Sequence, residues 1–246
     1  MPGERILILA GTTEARALAN GLVALGIDVI SSFAGVTQDP VLPAGRIHRG
    51  GFGGVPGLAD FLRAEGISRV VDATHPFAAQ MSAHAHAACV QLGLPLVLLE
   101  RPAWVAGPGD RWIDAASLGE AVERTPPGAR VLVTTGRKGL QGLIARPDLS
   151  GIIRTIEPPD EALPVGWSVL LDRPPHDFTS ERALMERERI GCLLTKNAGG
   201  DSTSAKLAAA RALGIPVVMV SRPSKPTCAT AASVSEALLG ITGKAG

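Results

Sequence analysis

Short apolar runs without polar alternation recur along this chain, and each leads through a turn into an Ala- and Leu-rich stretch. The run Ile6-Leu7-Ile8-Leu9-Ala10, followed by Gly11-Thr12-Thr13-Glu14, sets the pattern. A strand that is apolar at every position has no solvent face. It must be covered on both sides, which is the situation of a parallel sheet sandwiched by helices. Strands are expected at 5–10, 28–32, 46–49, 69–73 and 95–100, with helices at 13–25, 57–65 and 77–92. After the Pro- and Gly-rich stretch 101–110, strands are expected at 130–134, 152–156, 169–171, 192–195 and 216–220. Helices there are expected at 117–124, 180–189, 203–213 and 233–239. This β-α-β order predicts an α/β protein with open, mostly parallel sheets.

The two series echo each other. Displaced by 121 positions, Thr74 falls on Thr195, Leu92-Gly93 on Leu213-Gly214, and Arg101-Pro102 on Arg222-Pro223. Nine identities fall within the 29 positions from 74 to 102. A shared strand–helix–strand grammar accounts for some of them, but the terminal Arg-Pro pair is less generic. The expected architecture is two Rossmann-like parallel-sheet halves with a cleft between them, residues 1–103 and 104–246. Ligand sites concentrate at such interfaces.

Composition excludes several partners. Lys and Arg number 24 against 23 Asp and Glu, a net charge of +1, so no global field gathers nucleic acid or an acidic membrane. Tyr is absent and Phe and Trp number only five and three, too few for a base-stacking surface. No apolar run reaches the roughly 18–20 residues of a membrane span. Cys89, Cys192 and Cys228 are scattered and odd in number, so neither a disulfide framework nor a metal site is expected. A cytoplasmic protein is the expectation; oligomeric state is not legible.

The candidate ligand-binding residues lie where strands end. Gly11, Thr12 and Thr13 link the first strand to a helix N-terminus, where free N–H groups and the positive end of the dipole favour an anion. Only Gly11 of a G-x-G-x-x-G fingerprint is present, and Glu14 in the first turn would repel a pyrophosphate. A capped helix after a tight turn is the plainer reading. The second strand ends in Ser31-Ser32, hydroxyls where an NAD-binding domain carries a carboxylate for the ribose diol. If a dinucleotide binds there, a 2′-phosphate is tolerated and NADP is favoured over NAD. Gly50 and Gly51 open a segment with four glycines in five positions, either a flexible turn or a loop beside adenine or phosphate. Asp72-Ala73-Thr74-His75-Pro76-Phe77-Ala78 brings a buried strand to its carboxyl end, with Pro76 expected at the first helical position. His75 then stands at the sheet edge where α/β folds bind ligands.

In the second half, Val133-Thr134-Thr135-Gly136-Arg137-Lys138-Gly139 is expected to close a strand and open a helix. Two cations at a helix N-terminus oppose its dipole, a local cost that suggests an anionic ligand. Solvated surface charge is the other reading. Lys196, Asn197 and Gly199 follow the strand equivalent to the one ending at Thr74. With Arg137, Lys138 and Arg222, Lys196 gives one half a cationic wall suited to a polyanion.

At these residues the chain resembles the precorrin-6A reductase family of cobalamin biosynthesis. The anchors include Leu9-Ala10-Gly11-Thr12-Thr13-Glu14-Ala15, Gly51-Phe52-Gly53-Gly54, Asp72-Ala73-Thr74-His75-Pro76-Phe77-Ala78, Thr134-Thr135-Gly136-Arg137-Lys138 and Thr195-Lys196-Asn197-Ala198-Gly199-Gly200. The resemblance implies NADPH-dependent reduction of a ring double bond in a tetrapyrrole, precorrin-6A, to give precorrin-6B. It implies that residues 1–103 hold NADPH through Gly11, Thr12, Thr13, Ser31, Ser32, Gly50, Gly51, Thr74, His75, Pro76 and Phe77. It further implies that the second half holds substrate carboxylates through Arg137, Lys138, Lys196, Asn197, Gly199 and Arg222, with His75 and Lys196 as candidate catalytic residues. One departure is Val36, where Arg is common in the family; the 2′-phosphate then falls to Ser31, Ser32 or a nearby cation. Two other classes stand beside this reading. One is a cofactor-free two-domain tetrapyrrole enzyme resembling uroporphyrinogen-III synthase. The other is an NADP-sensing module without chemistry.

Overall fold

The computed structural model describes residues 4–33, 42–137, 139–159 and 162–243. Val36 and Lys138 lie outside the described residues. The chain forms two compact units, Met1–Pro102 with Pro223–Gly246, and Ala103–Arg222. In chain order the elements begin β1 (Arg5–Leu9), α1 (Thr13–Ala24), β2 (Asp28–Phe33), β3 (Arg46–Arg49), α2 (Gly54–Ala64), β4 (Arg69–Asp72), α3 (Ala79–Leu92) and β5 (Leu96–Leu99). They continue β6 (Trp112–Ala115), α4 (Leu118–Arg124), β7 (Arg130–Val133), α5 (Gln141–Ile144), β8 (Ser150–Thr155), β9 (Trp167–Leu171), α6 (Phe178–Arg187) and β10 (Cys192–Lys196). Last come α7 (Ala205–Ala212), β11 (Val217–Val220), β12 (Ala229–Ala231) and α8 (Val234–Thr242).

Each unit holds one six-stranded sheet, in the orders β12-β5-β4-β1-β2-β3 and β6-β11-β10-β7-β8-β9. Every neighbouring pair is parallel. Burial explains the unbroken apolar runs. Ile6 and Ile8 pack toward α1 and α8 with Leu18, Leu22 and Ile241. Leu7 and Leu9 face the other way, onto Leu58, Leu62, Ala85 and Cys89 of α2 and α3. A central strand covered on both faces contributes apolar burial at every residue, about 1.5–3 kcal/mol for each large side chain. Among the described residues no helix is long and apolar enough to cross a membrane.

The units share one plan, with one element moved. β1, β2, β3, β4 and β5 occupy the sheet positions of β7, β8, β9, β10 and β11. The sixth position is filled by β12 in the first unit and β6 in the second. Thus the strand–helix pair that opens the second unit, β6–α4, closes the first as β12–α8. Its sequence repeats as Ala115-Ala116-Ser117 and Ala231-Ala232-Ser233, each followed at the same spacing by Glu120-Ala121 and Glu236-Ala237. The caps repeat too. Ser117 accepts the Glu120 N–H at 3.1 Å while Glu120 accepts the Ala116 N–H. Ser233 and Glu236 do the same, with Glu236 accepting from Ala232. This reciprocal arrangement satisfies two backbone donors at each helix start.

Three expectations change. A single boundary near residue 103 is replaced by a chain that returns, because Ala231, Ala237 and Ile241 complete the first core. Strands β6 and β12 are short and were not expected. The segment after β7 does not open a helix directly; α5 begins at Gln141 and has four residues. If α8 belongs to the first unit, Ile241→Ala should cost about 2–4 kcal/mol through the cavity it leaves. The loss should appear in urea unfolding and as faster proteolysis within residues 5–99, with residues 103–222 protected as before.

Candidate functional site

In a sheet of this order, the neighbours of β1 are reached by connections running in opposite directions. The loops after β1 and β4 therefore diverge at their carboxyl ends and leave a crevice. Gly11, with φ of 137°, turns the chain out of β1, and a Cβ there would meet nothing within 4 Å. Thr12 caps α1. Its Oγ1 accepts the Ala15 N–H at 3.1 Å and its O–H donates to the Ala73 carbonyl at 2.8 Å, so one side chain fixes both lips of the crevice. The Thr13 hydroxyl donates to Glu14 Oε2 at 3.0 Å. Glu14 is also paired with Arg101, at 2.8 Å. Burial pushes the Glu14 carboxyl up, but its backbone hydrogen bond, Arg101 and Thr13 together hold it below the usual carboxylate range. The negative charge that would repel a phosphate at this helix start is thus offset by Arg101.

At the next tip, Ser31 and Ser32 part company. Ser32 Oγ shares a 3.1 Å hydrogen bond with His48 Nδ1 of the adjoining β3. The His48 ring stacks on Phe52 with centroids 4.8 Å apart and 7° between planes. Ser31 is wholly buried, its hydroxyl without a hydrogen-bond partner among the described residues. Alternation along the strand turns it to the face opposite Ser32, so the expectation of two hydroxyls presented together at this tip is corrected. The glycine loop is corrected too. Gly50, Gly53 and Gly54 have φ of 115°, 76° and 89°, whereas Gly51 is absent from the positive-φ glycines and lies in open space. Gly50 N–H closes the tip by donating to the Phe33 carbonyl at 2.9 Å.

The loop after β4 is built on Asp72, which is 1% exposed. Its Oδ1 accepts from the Thr74 N–H at 3.1 Å and the Thr74 hydroxyl at 2.6 Å, and its Oδ2 accepts from the Ser82 hydroxyl. Asp72 therefore sets the direction of Thr74, His75 and the start of α3. Pro76 lies in the turn before α3, closed by Ala78 N–H to the His75 carbonyl, and not at the first helical position. His75 Nδ1 accepts the Phe77 N–H at 3.2 Å, so a neutral ring carries its proton on Nε2.

In the second unit the matching crevice lies between β7 and β10. Thr134 and Thr195 hydroxyls bond across it at 2.9 Å. Gly136, with φ of 90°, stands where Gly11 does, and Arg137 where Thr12 does. Arg137 is not at a helix start, and Glu157 lies 3.9 Å away, so the argument from an opposed dipole does not apply. Lys196 ends β10, and burial lowers its pKa from the ordinary lysine value. Asn197 and Arg222 have structural work. The Asn197 amide accepts Trp104 N–H at 2.8 Å and donates to Trp104 O at 2.9 Å, clamping the start of the unit. Arg222 donates to the Asn197 and Ala198 carbonyls. This shapes the loop that carries Gly199, whose φ is 68°. Cys89 and Cys192 are buried, their thiols pushed up to about 11 by desolvation, which removes them as nucleophiles at neutral pH.

Two Rossmann-like sheets, the first with a capped helix N-terminus at its crevice, define a tandem α/β protein of Rossmann-like architecture. The profile of the precorrin-6x reductase family CbiJ/CobK matches residues 5–240, and the chain belongs to that family, a family of reductases. A precorrin-6A reductase of Rhodococcus erythropolis is 50% identical over 224 residues, covering 90% of each chain. One of Rhodobacter capsulatus is 44% identical over 231 residues, covering 92% of each. The solved structure of a CobK precorrin-6A reductase superposes with a TM-score of 0.91 at 41% identity, over 97% of this chain and 96% of that one.

The glycine geometry yields a paired test. Gly50→Ala should destabilise the protein by at least about 1 kcal/mol, because L-residues resist positive φ. Gly51→Ala should leave the denaturation midpoint unchanged.

Proposed function

We propose that this enzyme reduces a macrocycle double bond of precorrin-6A with NADPH, giving precorrin-6B in cobalamin biosynthesis. The supporting observation is family membership over residues 5–240 in a chain whose first sheet has the strand order of dinucleotide-binding folds. The residues suit the cofactor: Gly11 leaves open space before the N-terminus of α1, and Arg101 offsets Glu14. On this reading Gly11, Thr12 and Thr13 hold the pyrophosphate, the Ser32 tip and Gly50 loop face the adenosine end, and Thr74 to Phe77 border the nicotinamide end. NADPH supplies the hydride when bound.

The remaining work is the protein's own. Arg137, Lys138 and Lys196 hold carboxylates of the tetrapyrrole through charge-assisted hydrogen bonds, on a loop shaped by Asn197, Gly199 and Arg222. Two groups can deliver the proton that the second ring carbon needs. His75 holds one on Nε2. Lys196, made more acidic by burial, is a better donor than an ordinary lysine.

Anaerobic turnover with precorrin-6A, following NADPH loss with and without the tetrapyrrole, tests the reading directly. NADPH binding without turnover would leave a sensor; no NADPH binding would leave a cofactor-free enzyme. Arg137→Ala and Lys196→Ala should each weaken tetrapyrrole binding roughly tenfold to a hundredfold with NADPH affinity unchanged, measured by absorbance and fluorescence titration. If Lys196 donates the proton, the rate falls as pH rises through its lowered pKa, because the acid must be protonated. That alkaline limb should vanish in Lys196→Met and persist in His75→Gln.

A further inference from the structure

The tip of β2 offers a 2′-phosphate no cation of its own. The segment 34–41 that follows it, Ala-Gly-Val-Thr-Gln-Asp-Pro-Val, contains no Lys or Arg. The adjoining strand does. β3 runs parallel to β2 in a register that sets Ser32 beside His48 and Phe33 beside Arg49, so Arg49 is the last residue of its strand at the same carboxyl edge. The Gly50 N–H bonded to the Phe33 carbonyl holds that corner closed.

The face matters as much as the edge. Val29 packs with Leu18 and Leu22 of α1, and alternation carries that face through Ser31 to Phe33 and its neighbour Arg49. Arg49 therefore projects on the side of the sheet where α1 begins. β3 stands two strands from β1, about 10 Å along the edge, a span suited to a ribose substituent of a dinucleotide whose pyrophosphate sits at α1. The other arginines of this unit with ion pairs, Arg5, Arg46, Arg63, Arg69 and Arg101, each face a carboxylate. Arg49 is exposed and enters no ion pair among the described residues.

Resting on the NADPH reading above, we propose that Arg49 is the residue that selects NADPH over NADH, its guanidinium taking the 2′-phosphate at the β2–β3 tip. Its planar fork suits a phosphate in two-point contact, which a lysine reproduces only as a point charge.

The test is direct binding of NADPH, NADH and 2′-AMP to the full chain by fluorescence and calorimetric titration, with circular dichroism confirming the fold. In the unaltered protein NADPH binds more tightly than NADH, and 2′-AMP displaces it. Arg49→Ala should weaken NADPH and 2′-AMP roughly tenfold to a hundredfold and leave NADH unchanged, while Arg49→Lys recovers part of the loss. Unaltered protein that binds NADPH tightly and keeps its preference after Arg49→Ala overturns the assignment while sparing the cofactor reading. Unaltered protein that binds neither nucleotide overturns the cofactor reading itself.

Discussion

Burial of β1 on both faces is the constraint from which the first unit follows. A strand with Ile6, Leu7, Ile8 and Leu9 all withdrawn from water needs helices above and below it. Only parallel strands with crossover helices supply both at once. Parallel strands in turn bring every carboxyl end to one edge, so the crevice beside Gly11 is a consequence of core packing before it is a matter of chemistry. Thr12 makes the same point in miniature. The hydroxyl that caps α1 also ties the loop after β1 to Ala73 after β4, so helix stability and crevice geometry depend on one oxygen.

The fold was legible where burial wrote it into residue type. Unbroken apolar runs marked strands such as β1, β5, β7 and β11, and the displaced identities between 74–102 and 195–223 marked equivalent β4-α3-β5 and β10-α7-β11 units. What escaped was short and at an edge. β12 has three residues, two of them exposed, and carries no apolar run. Its signal was the second repeat, Ala-Ala-Ser followed by Glu-Ala, at a spacing unlike the first. That repeat was hidden because a permuted element breaks any single displacement.

The loops of the candidate site were legible by position, the bonds made by their side chains less so. Loops at strand ends were found, because turn glycines and polar residues interrupt the apolar runs there. The duties of individual side chains depend on partners far away in sequence, which no local pattern carries. Asn197 holds the backbone of Trp104, ninety-three positions away. Glu14, a poor neighbour for phosphate on local grounds, is offset by Arg101, eighty-seven positions on. Ser31 and Ser32 are adjacent, chemically alike and both buried, yet strand alternation bonds Ser32 to His48 and leaves the Ser31 hydroxyl without a partner among the described residues.

The two units differ in what their crevices present. After β1 comes α1, twelve residues long and capped by Thr12, with its N–H groups at the crevice. After β7 comes only α5, four residues without a side-chain cap, too short to present a helix dipole there. The second tip differs as well. Aligning Gly11 with Gly136 carries Ile6 to Val131, and the pairings Ile6 with Val29 and Val131 with Gly151 then carry Ser32 to Arg154. Arg154 is bound to Glu181 at 2.8 Å, with 7% and 1% of the two side chains exposed. A buried pair of that kind costs desolvation on both ions and loses heavily if either partner is drawn away. The equivalent of the β2 tip in the second unit is therefore closed by its own ion pair. Its crevice keeps Arg137 at the position held by Thr12 in the first, with Lys196 at the end of β10, and lacks a capped helix start of the length of α1.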